Sequence, residues 1–233
     1  MNHAQRDIFV DLVLIDHEIL DIIHKKELNR AEISGLESRV TEYKASLLDA
    51  QETLSIVKKK LHIQELESNA LDLRRNTTQK NLDQTMQAKD FFALTTELEA
   101  LKKNSGLTEE ILFALWEEHE TAEKTYTELQ DTEKELLPAL EKEIKILSKR
   151  IVDLDFEQQK NQEARLLKAP YVIPELYDQY ENLRKTTPYA AIPMEKDSCS
   201  SCFYPINSAD RDLLLRSQIV QCKDCYRLLY VRS

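Results

Sequence analysis

Apolar side chains recur with a period of 3.5 residues from about residue 5 to about residue 64. In one heptad register, positions a and d are filled by Leu12, Ile19, Ile33, Val40, Leu47, Leu54 and Leu61, and by Ile8, Ile15, Ile22, Leu36, Tyr43, Ala50 and Val57. Only Lys26 and Asn29 place polar side chains in this stripe. Such a long heptad pattern is typical of a coiled coil, and a stripe this narrow requires a partner helix.

A second heptad stripe begins after residue 90 and supplies that partner helix. Its a positions include Phe91, Leu98, Leu112 and Tyr126, with Ser105 and His119 between them, and its d positions include Leu94, Leu101, Leu115, Ala122 and Leu129. The register passes through Gly106 without a slip, which predicts a continuous helix at that point rather than a turn. Around Pro138 the stripe continues with an insertion of four residues relative to heptads, and the proline is expected to kink the helix.

The two stripes do not share one register, because the first would place core residues at 82 and 89 whereas the second uses Phe91. The polar stretch between them predicts a hairpin tip near residues 75–86. If the tip is centred near residue 80, Lys26 lies opposite a polar part of the second arm that includes Glu133. We therefore expect residues 1–169 to form a long antiparallel coiled-coil hairpin.

The composition suits long exposed helices and disfavours several classes of function. Of the 233 residues, 32% are charged, only two are glycine, and the formal net charge is −10. This acidity disfavours broad binding to nucleic acid or to anionic membranes. The apolar stretch near the N-terminus is interrupted by Asp11, Asp16 and Glu18, which argues against an export signal or a membrane span. We expect a cytoplasmic protein.

The sequence has no motif that is typical of a catalytic site. It shows no phosphate-binding loop, no nucleophile–base pair and no paired carboxylates set on a pocket. We therefore expect no enzymatic activity. Whether the protein is a monomer or a homodimer stays open.

Two prolines mark the end of the hairpin. Pro170 cannot continue the long helix, and Pro174 suits the first turn of a new one. Residues 170–188 are therefore expected to contain a short connecting helix. The apolar face of that helix consists of Leu176, Tyr177, Tyr180 and Leu183. In residues 189–233, alternating apolar positions after residue 212 predict two or three short strands.

All the cysteines lie in this C-terminal segment, in two C-x2-C pairs with nineteen residues between them: Cys199, Cys202, Cys222 and Cys225. Each pair can present both thiolates to one ion, and the two pairs together complete a tetrahedron. The spacing predicts one zinc ion, with iron as the alternative that the ligands leave open. Four thiolates leave no position for water, so the zinc is expected to be structural and to stabilise residues 189–233 as a zinc ribbon.

The whole chain resembles a bacterial family of long coiled-coil hairpins that end in a four-cysteine zinc ribbon, of the FlgZ/CdsZ type. The likeness is most specific in "YDQYENLRK", in the paired C-x2-C motifs and in "CKDCYRLLY". The last stretch is similar to the family ending C-x-x-C-G-R-x-L-Y, which is matched by Cys222, Cys225, Arg227, Leu229 and Tyr230. "FFALTTELEALKK" also resembles the helix that follows the tip in the family.

The resemblance implies a non-enzymatic adaptor that binds the RpoN-type alternative sigma factor and components of flagellar or type III secretion export. The chlamydial branch, which is associated with type III secretion, looks most similar, and implies a stator-like export protein as the second partner. Some members of the family are implicated in binding messenger RNA through the ribbon.

The chain departs from the family directly after the second cysteine of each pair. Members often have glycine there, which tolerates a positive φ, whereas this chain has Phe203 and Tyr226. We expect the metal site to persist with strained or shifted turns. Together with Tyr204 and Tyr230, these residues form a small core, a protein-docking face or a surface on which bases stack.

RNA is the less favoured ligand because the charges of the ribbon nearly cancel. Its cations are Arg211, Arg216, Lys223, Arg227 and Arg232, and its aspartates are Asp197, Asp210, Asp212 and Asp224. Backbone phosphates are bound through unbalanced positive charge.

An alternative function is regulation of RNA polymerase through its secondary channel, as in the DksA and Gre factors. Those proteins use acidic residues at a hairpin tip to approach the catalytic metal. Here the predicted tip is rich in arginine and lysine, and Asp83 is the acidic residue near it. The sequence therefore favours the adaptor.

Overall fold

The computed structural model describes Met1 and residues 3–231. Two long helices, α1 (His3–Gln84) and α2 (Ala88–Lys168), form a hairpin whose turn consists of residues 85–87. A small C-terminal region with four clustered cysteines follows, so the predicted fold class, a coiled-coil hairpin with a small ribbon, is confirmed. None of the helices formed by the described residues has an apolar stretch that could span a lipid bilayer.

Residues Gly35–Glu143 form one compact unit, in which the two helices pack along the predicted stripes. Its buried apolar residues are Leu36, Leu54, Val57, Leu61, Leu98, Leu101, Leu137 and Leu140. The Tyr43 hydroxyl donates to the Leu129 carbonyl at 2.5 Å, and Arg74 pairs with Glu97 at 2.7 Å. Helix α2 continues through Gly106, as predicted, and through Pro138.

The facing residues of the two arms differ from the prediction. A tip centred near residue 80 places Tyr43 opposite about residue 117, whereas its hydroxyl contacts Leu129. The reason is that α1 stays helical through its polar end as far as Gln84, which moves the turn to residues 85–87. Arginine, lysine, glutamine and leucine are good helix formers, so the helix outlasts its apolar stripe.

Cysteines introduced at Ala50 and Ala122 are expected to crosslink within one chain, because both residues line one groove between the arms. A short bismaleimide added to the metal-loaded protein, in which the native thiols are protected, followed by mass spectrometry, checks this. The matched control joins Ala50 to Glu110, which a tip at residue 80 would place opposite each other. Crosslinking of the control pair alone would contradict the observed register.

Residues Met1–Ser34 and Ile144–Ser233 form a second compact unit. Helix α2 is followed by a 3₁₀ turn, Ala169–Tyr171, and by α3, Pro174–Arg184, which has proline in its first turn as predicted. Tyr180 of α3 is buried, and its ring packs edge-on against Phe9 of α1 with centroids 5.4 Å apart. The other apolar residues expected on this face, Leu176, Tyr177 and Leu183, pack against the same core.

Lys26 of this unit does not lie opposite the region of Glu133. Its ammonium group forms an ion pair with Asp155 and donates to the Gln158 side chain at 2.9 Å. The side chain of Lys26 is only 12% exposed and that of Asp155 is 51% exposed, so the ion pair is half-buried. The displaced turn accounts for about half of this shift, since a turn at residues 85–87 moves the position opposite Lys26 from about 134 to about 146.

The C-terminal segment forms a four-stranded sheet and one helix. The elements are β1 (Ala191–Glu195), β2 (Ser198–Cys199), α4 (Ser208–Leu215), β3 (Val220–Gln221) and β4 (Leu228–Tyr230). The strand order is β2-β1-β4-β3, with β1 and β4 parallel and the other pairs antiparallel. Because side chains alternate along a strand, Leu228 and Tyr230 join the core around Phe9, whereas Leu229 packs among the cysteines.

The strand prediction is correct for β3 and β4 and wrong for residues 213–215, which belong to α4. The Asn207 side chain caps this helix by accepting from the Asp210 backbone N–H at 2.7 Å. The cap satisfies one of the free donors of the first turn and fixes the start of the helix.

Candidate metal centre and the ribbon surface

The two cysteine pairs lie on two turns with matching backbone hydrogen bonds. In the first turn, the Phe203 N–H donates to the Cys199 carbonyl at 2.9 Å, and the Cys199 N–H donates to the Tyr204 carbonyl at 3.0 Å. In the second, the Tyr226 N–H donates to the Cys222 carbonyl at 3.1 Å, and the Cys222 N–H donates to the Arg227 carbonyl at 2.8 Å. The equivalent spacing therefore produces equivalent local folds.

The turns bring all four sulfur atoms together. The Sγ atoms of Cys199 and Cys225 are 3.6 Å apart, those of Cys202 and Cys222 are 3.7 Å apart, and all four lie within 4.8 Å of one another. Four thiolates at ~2.3 Å from one central ion in a tetrahedron are separated by about 3.8 Å. The cluster therefore has the dimensions of a site that could hold one metal ion.

The apolar surroundings hold the cluster in place. Cys199 and Cys222 are buried and share a core with Ile192, Leu214 and Leu229. These residues come from β1, α4 and β4, so each of these elements touches the site. The position of the sulfur atoms is therefore set by the fold of the whole ribbon.

The protonation of the thiols differs across the cluster. Burial raises the pKa of the Cys202 thiol to about 12 and also raises that of Cys222. Burial acts in the same direction at Cys225, but hydrogen bonds from Arg227 and with the Cys202 and Cys199 thiols together outweigh it and lower the pKa of this thiol to about 7. A metal ion that binds all four sulfurs must therefore displace protons, as is usual for thiolate sites.

The residues after the second cysteines have the backbone conformation that glycine favours. Phe203 and Tyr226 both have φ of 61°, so the turns keep a left-handed residue although the side chain is bulky. Tyr230 is fully buried and belongs to the core, whereas Phe203, Tyr204 and Tyr226 are exposed. The core interpretation is thus correct for Tyr230 and wrong for the other three.

Two cations of the ribbon are paired with its own carboxylates. Arg211 pairs with Asp197 at 3.0 Å, and Lys223 pairs with Asp210 at 3.0 Å. Arg216 is exposed, and the Arg227 side chain hydrogen-bonds to the Cys225 thiol. Arg232 lies outside the described residues. The two ion pairs reduce the positive charge that is available to a phosphate backbone.

A buried ion cluster at the base of the hairpin is not evident from the sequence. We call Asp16, Arg165, Tyr180, Glu181 and Arg184 the base cluster. Asp16 is 1% exposed, accepts hydrogen bonds from Arg165 at 2.7 Å and from the Tyr180 hydroxyl at 3.2 Å, and forms an ion pair with Arg184 at 3.0 Å. Glu181 contacts both arginines. Burial and the Asp16 carboxylate raise the pKa of Tyr180 well above its usual range, which keeps the hydroxyl a donor.

A family model described as the CT398-like coiled coil hairpin domain matches residues 12–188. This stretch includes most of both long helices and all of α3. No curated protein matches the chain significantly.

Three of the solved structures that are similar to this chain come from bacteria. CT398 from Chlamydia trachomatis has a TM-score of 0.83 at 18% identity, over 99% of this chain and 98% of that one. A Mycobacterium smegmatis protein has a TM-score of 0.72 at 19% identity, over 98% of each chain. HP0958 from Helicobacter pylori has a TM-score of 0.61 at 16% identity, over 100% of this chain and 99% of that one. The family model matches most of the chain, and the fold is shared with CT398. The chain therefore belongs to the family of CT398-like coiled-coil hairpin proteins.

Proposed function

We propose that the protein is a non-enzymatic adaptor that binds other proteins through its hairpin and its ribbon. The observation that carries this proposal is a set of large apolar side chains on the long helices that are more than half exposed: Phe92, Phe113, Trp116, Phe156 and Leu167. The solvent-exposed face of a helix that binds no partner consists mainly of charged and polar residues. Exposed aromatic residues are instead enriched where proteins bind one another.

The partners that we propose are the RpoN-type sigma factor and a stator-like export protein of flagellar or type III secretion. The support for them is the resemblance of "YDQYENLRK" and "CKDCYRLLY" to the FlgZ/CdsZ family. The net charge of −10 would also steer basic partner surfaces toward the protein. We propose a cytoplasmic location and a monomer or homodimer.

For the cysteine cluster we propose one structural zinc ion. Its ligands would be Cys199, Cys202, Cys222 and Cys225, whose sulfur separations suit tetrahedral coordination. When bound, zinc would supply folding energy to a segment too small to be stable by its core alone. The division that follows is a hairpin of residues 1–169, a connector of residues 170–188 and a zinc ribbon of residues 189–233.

Calorimetric titration against three purified proteins tests the adaptor function. The full chain is titrated separately with the RpoN-type sigma factor, with core RNA polymerase that lacks sigma, and with the export stator protein. We expect binding to the sigma factor or the stator, and none to core polymerase. A Phe92→Ser/Phe113→Ser variant, which removes exposed apolar surface from α2, shows whether that surface contributes.

Binding to core RNA polymerase alone would contradict the adaptor function and indicate a regulator that enters the secondary channel of the polymerase. In that case Asp83→Asn should abolish binding, because the acidic residue at the tip would be the functional one. At the tip, the Asp83 carboxylate accepts from the Gln79 side chain at 2.9 Å. Arg74 and Arg75 lie between two and three turns before it on α1.

A further inference from the structure

Helix α1 has a second apolar stripe, which is exposed. Apolar side chains and one lysine recur along it at alternating intervals of three and four residues: Ile56, Lys59, Ile63, Leu66, Ala70 and Leu73. We call these six residues the outer seam. Its four leucine and isoleucine side chains are 53–71% exposed. The spacing is that of a coiled-coil seam, yet no part of the chain that the structure describes buries it.

The outer seam lies on the side of α1 that faces away from α2. The stripe that packs against α2 contains Leu54, Val57 and Leu61, all of which are buried. Each residue advances about 100° around the helix axis, which places the outer seam nearly opposite this buried stripe. A second helix can therefore pack against the outer seam without disturbing the core of the hairpin.

The outer seam is complementary to itself when two copies run antiparallel. In the alignment that places Ile56 opposite Leu73, Ile63 lies opposite Leu66 and Lys59 lies opposite Ala70. The large side chains then face one another. The small side chain of Ala70 leaves room for the stem of Lys59, whose ammonium group reaches the edge of the interface. A two-fold dimer requires such a surface, because both copies contribute the same residues to it.

The charges beside the outer seam favour this alignment. In an antiparallel coiled coil, the residues that flank the seam on one side meet the same set of residues from the other helix. On one side of the outer seam these residues are Lys60, Glu67 and Arg74. The alignment brings Lys60 next to Glu67 of the second copy, twice by symmetry. A shift of one heptad places Glu67 next to Glu67 in one direction and Lys60 next to Lys60 in the other, and both contacts are repulsive.

The two halves of the outer seam also differ in net charge. Residues 53–64 contain three lysines and no acidic residue, whereas residues 65–76 contain three acidic residues and two arginines. The antiparallel alignment places the first half of one copy against the second half of the other. Attraction between these halves offsets the repulsion expected between two chains of net charge −10.

The length of the outer seam suits a specific interface. From Ile56 to Leu73 the helix rises ~26 Å, which is about five turns. The helix is already formed within the hairpin, so association does not have to order a free peptide.

We propose that the outer seam is the interface of a homodimer, in which the α1 helices of two copies pack antiparallel around a two-fold axis between Ile63 and Leu66. The occupant of this exposed stripe is thus a second copy of the chain. The interface uses α1 alone and leaves the exposed aromatic residues of α2 free for other proteins. The inference does not depend on the adaptor function.

The first test is the mass of the metal-loaded full chain under reducing conditions, measured by sedimentation equilibrium, which does not depend on shape. We expect the mass of two chains. Leu66→Glu should raise the dissociation constant about a hundredfold or more, because its carboxylate would be buried against Ile63 in two symmetry-related layers. Leu48→Glu is the matched control, since Leu48 is 60% exposed on the same helix and lies outside the outer seam. Circular dichroism should be unchanged in both variants.

Exchange of charges tests the alignment. Lys60→Glu and Glu67→Lys are each expected to weaken the dimer about tenfold, because each makes two attractive contacts repulsive. The double variant Lys60→Glu/Glu67→Lys should regain the affinity of the wild type. A parallel dimer does not bring these two residues together and would show no such recovery.

Each result supports or overturns the dimer. A wild type with the mass of one chain at ~100 μM overturns it, because a specific dimer would be assembled at that concentration. A dimer that Leu66→Glu leaves intact uses another surface, and a dimer without recovery in the double variant has another alignment; both results overturn the inference. If the wild type is a monomer and Leu66→Glu weakens its binding to the sigma factor or the stator, the outer seam belongs to that partner. Failure of the adaptor function in calorimetry leaves the dimer standing.

Discussion

Cys222→Ser is expected to unfold the ribbon while most of the helical signal remains. The substitution removes one of four sulfurs in a cluster where Cys222 also packs with Ile192, Leu214 and Leu229. Structural zinc sites of this kind contribute up to ~10–16 kcal/mol to folding, so the loss should exceed what the ribbon can sustain. The unit Gly35–Glu143 has its own core and should keep its helices.

Elemental analysis and circular dichroism check this expectation together. We expect one zinc per wild-type chain and less than one in the variant. The far-UV signal at 222 nm should be largely retained, and proteolysis should become rapid after residue 190. Ser201→Ala, an exposed position between the first two cysteines, is the control and should behave like wild type. A complete loss of helicity, or a metal-free wild type with an intact ribbon, would contradict the two-part architecture.

Asp16→Ala is expected to release α3 from the hairpin. The substitution removes the buried carboxylate that Arg165 and Arg184 share and leaves both guanidinium groups with the more exposed carboxylate of Glu181. Removing one partner of a buried ion pair costs up to about 3–5 kcal/mol, and the remaining contact with Glu181 reduces that cost. Asp11→Ala is the matched control. Asp11 pairs with Lys168, and this pair joins α1 to α2 as the Asp16–Arg165 pair does, but at an exposed position. Exposed pairs contribute only ~0–1 kcal/mol.

Hydrogen exchange measured by mass spectrometry is the suitable readout for this pair of variants. Global unfolding is not expected to be two-state in a chain with two compact units. Peptides that contain Pro174–Arg184 should lose protection in Asp16→Ala and keep it in Asp11→Ala. Equal protection in both variants would show that the apolar contacts of Tyr180 hold α3 without the base cluster.

The hairpin and the cysteine cluster were accessible from the sequence because each depends on a simple spacing. Leu54, Val57 and Leu61 are buried as their heptad positions require. Within each of the pairs Cys199–Cys202 and Cys222–Cys225, the two-residue gap confines both sulfurs to one turn, and the fold of the ribbon then brings the two turns together. Even the positive φ of Phe203 follows from the turn that this spacing enforces.

The register of the hairpin was harder to predict because the helix and its apolar stripe end at different places. Helix α1 continues to Gln84, although the stripe ends near Leu61. An apolar stripe indicates where the helix packs against a partner. The end of the helix depends instead on the helix propensity of its residues, which stays high beyond the stripe. Helix α4 was missed for a related reason, since its signal is the Asn207 cap and not its short run of leucines.

The base cluster could not be predicted from one sequence. Its members Asp16, Arg165 and Arg184 are brought together by the fold, over separations that no local pattern records. What the sequence does show is an aspartate inside an apolar stretch, and such a residue needs a partner if it is buried.

The parallel pairing of β1 with β4 has a consequence for how the chain folds. This pairing brings Tyr230 into one core with Phe9. The unit that contains both residues therefore depends on contacts between residues more than two hundred positions apart in the sequence. The contacts of Gly35–Glu143 can form earlier, because a hairpin closes progressively outward from its turn. Loop-closure entropy then favours a fixed order, in which the central coiled coil forms first and shortens the effective loop between the two distant segments. Refolding from denaturant should accordingly show fast recovery of helix and a slower phase in which the environment of Tyr180 becomes native.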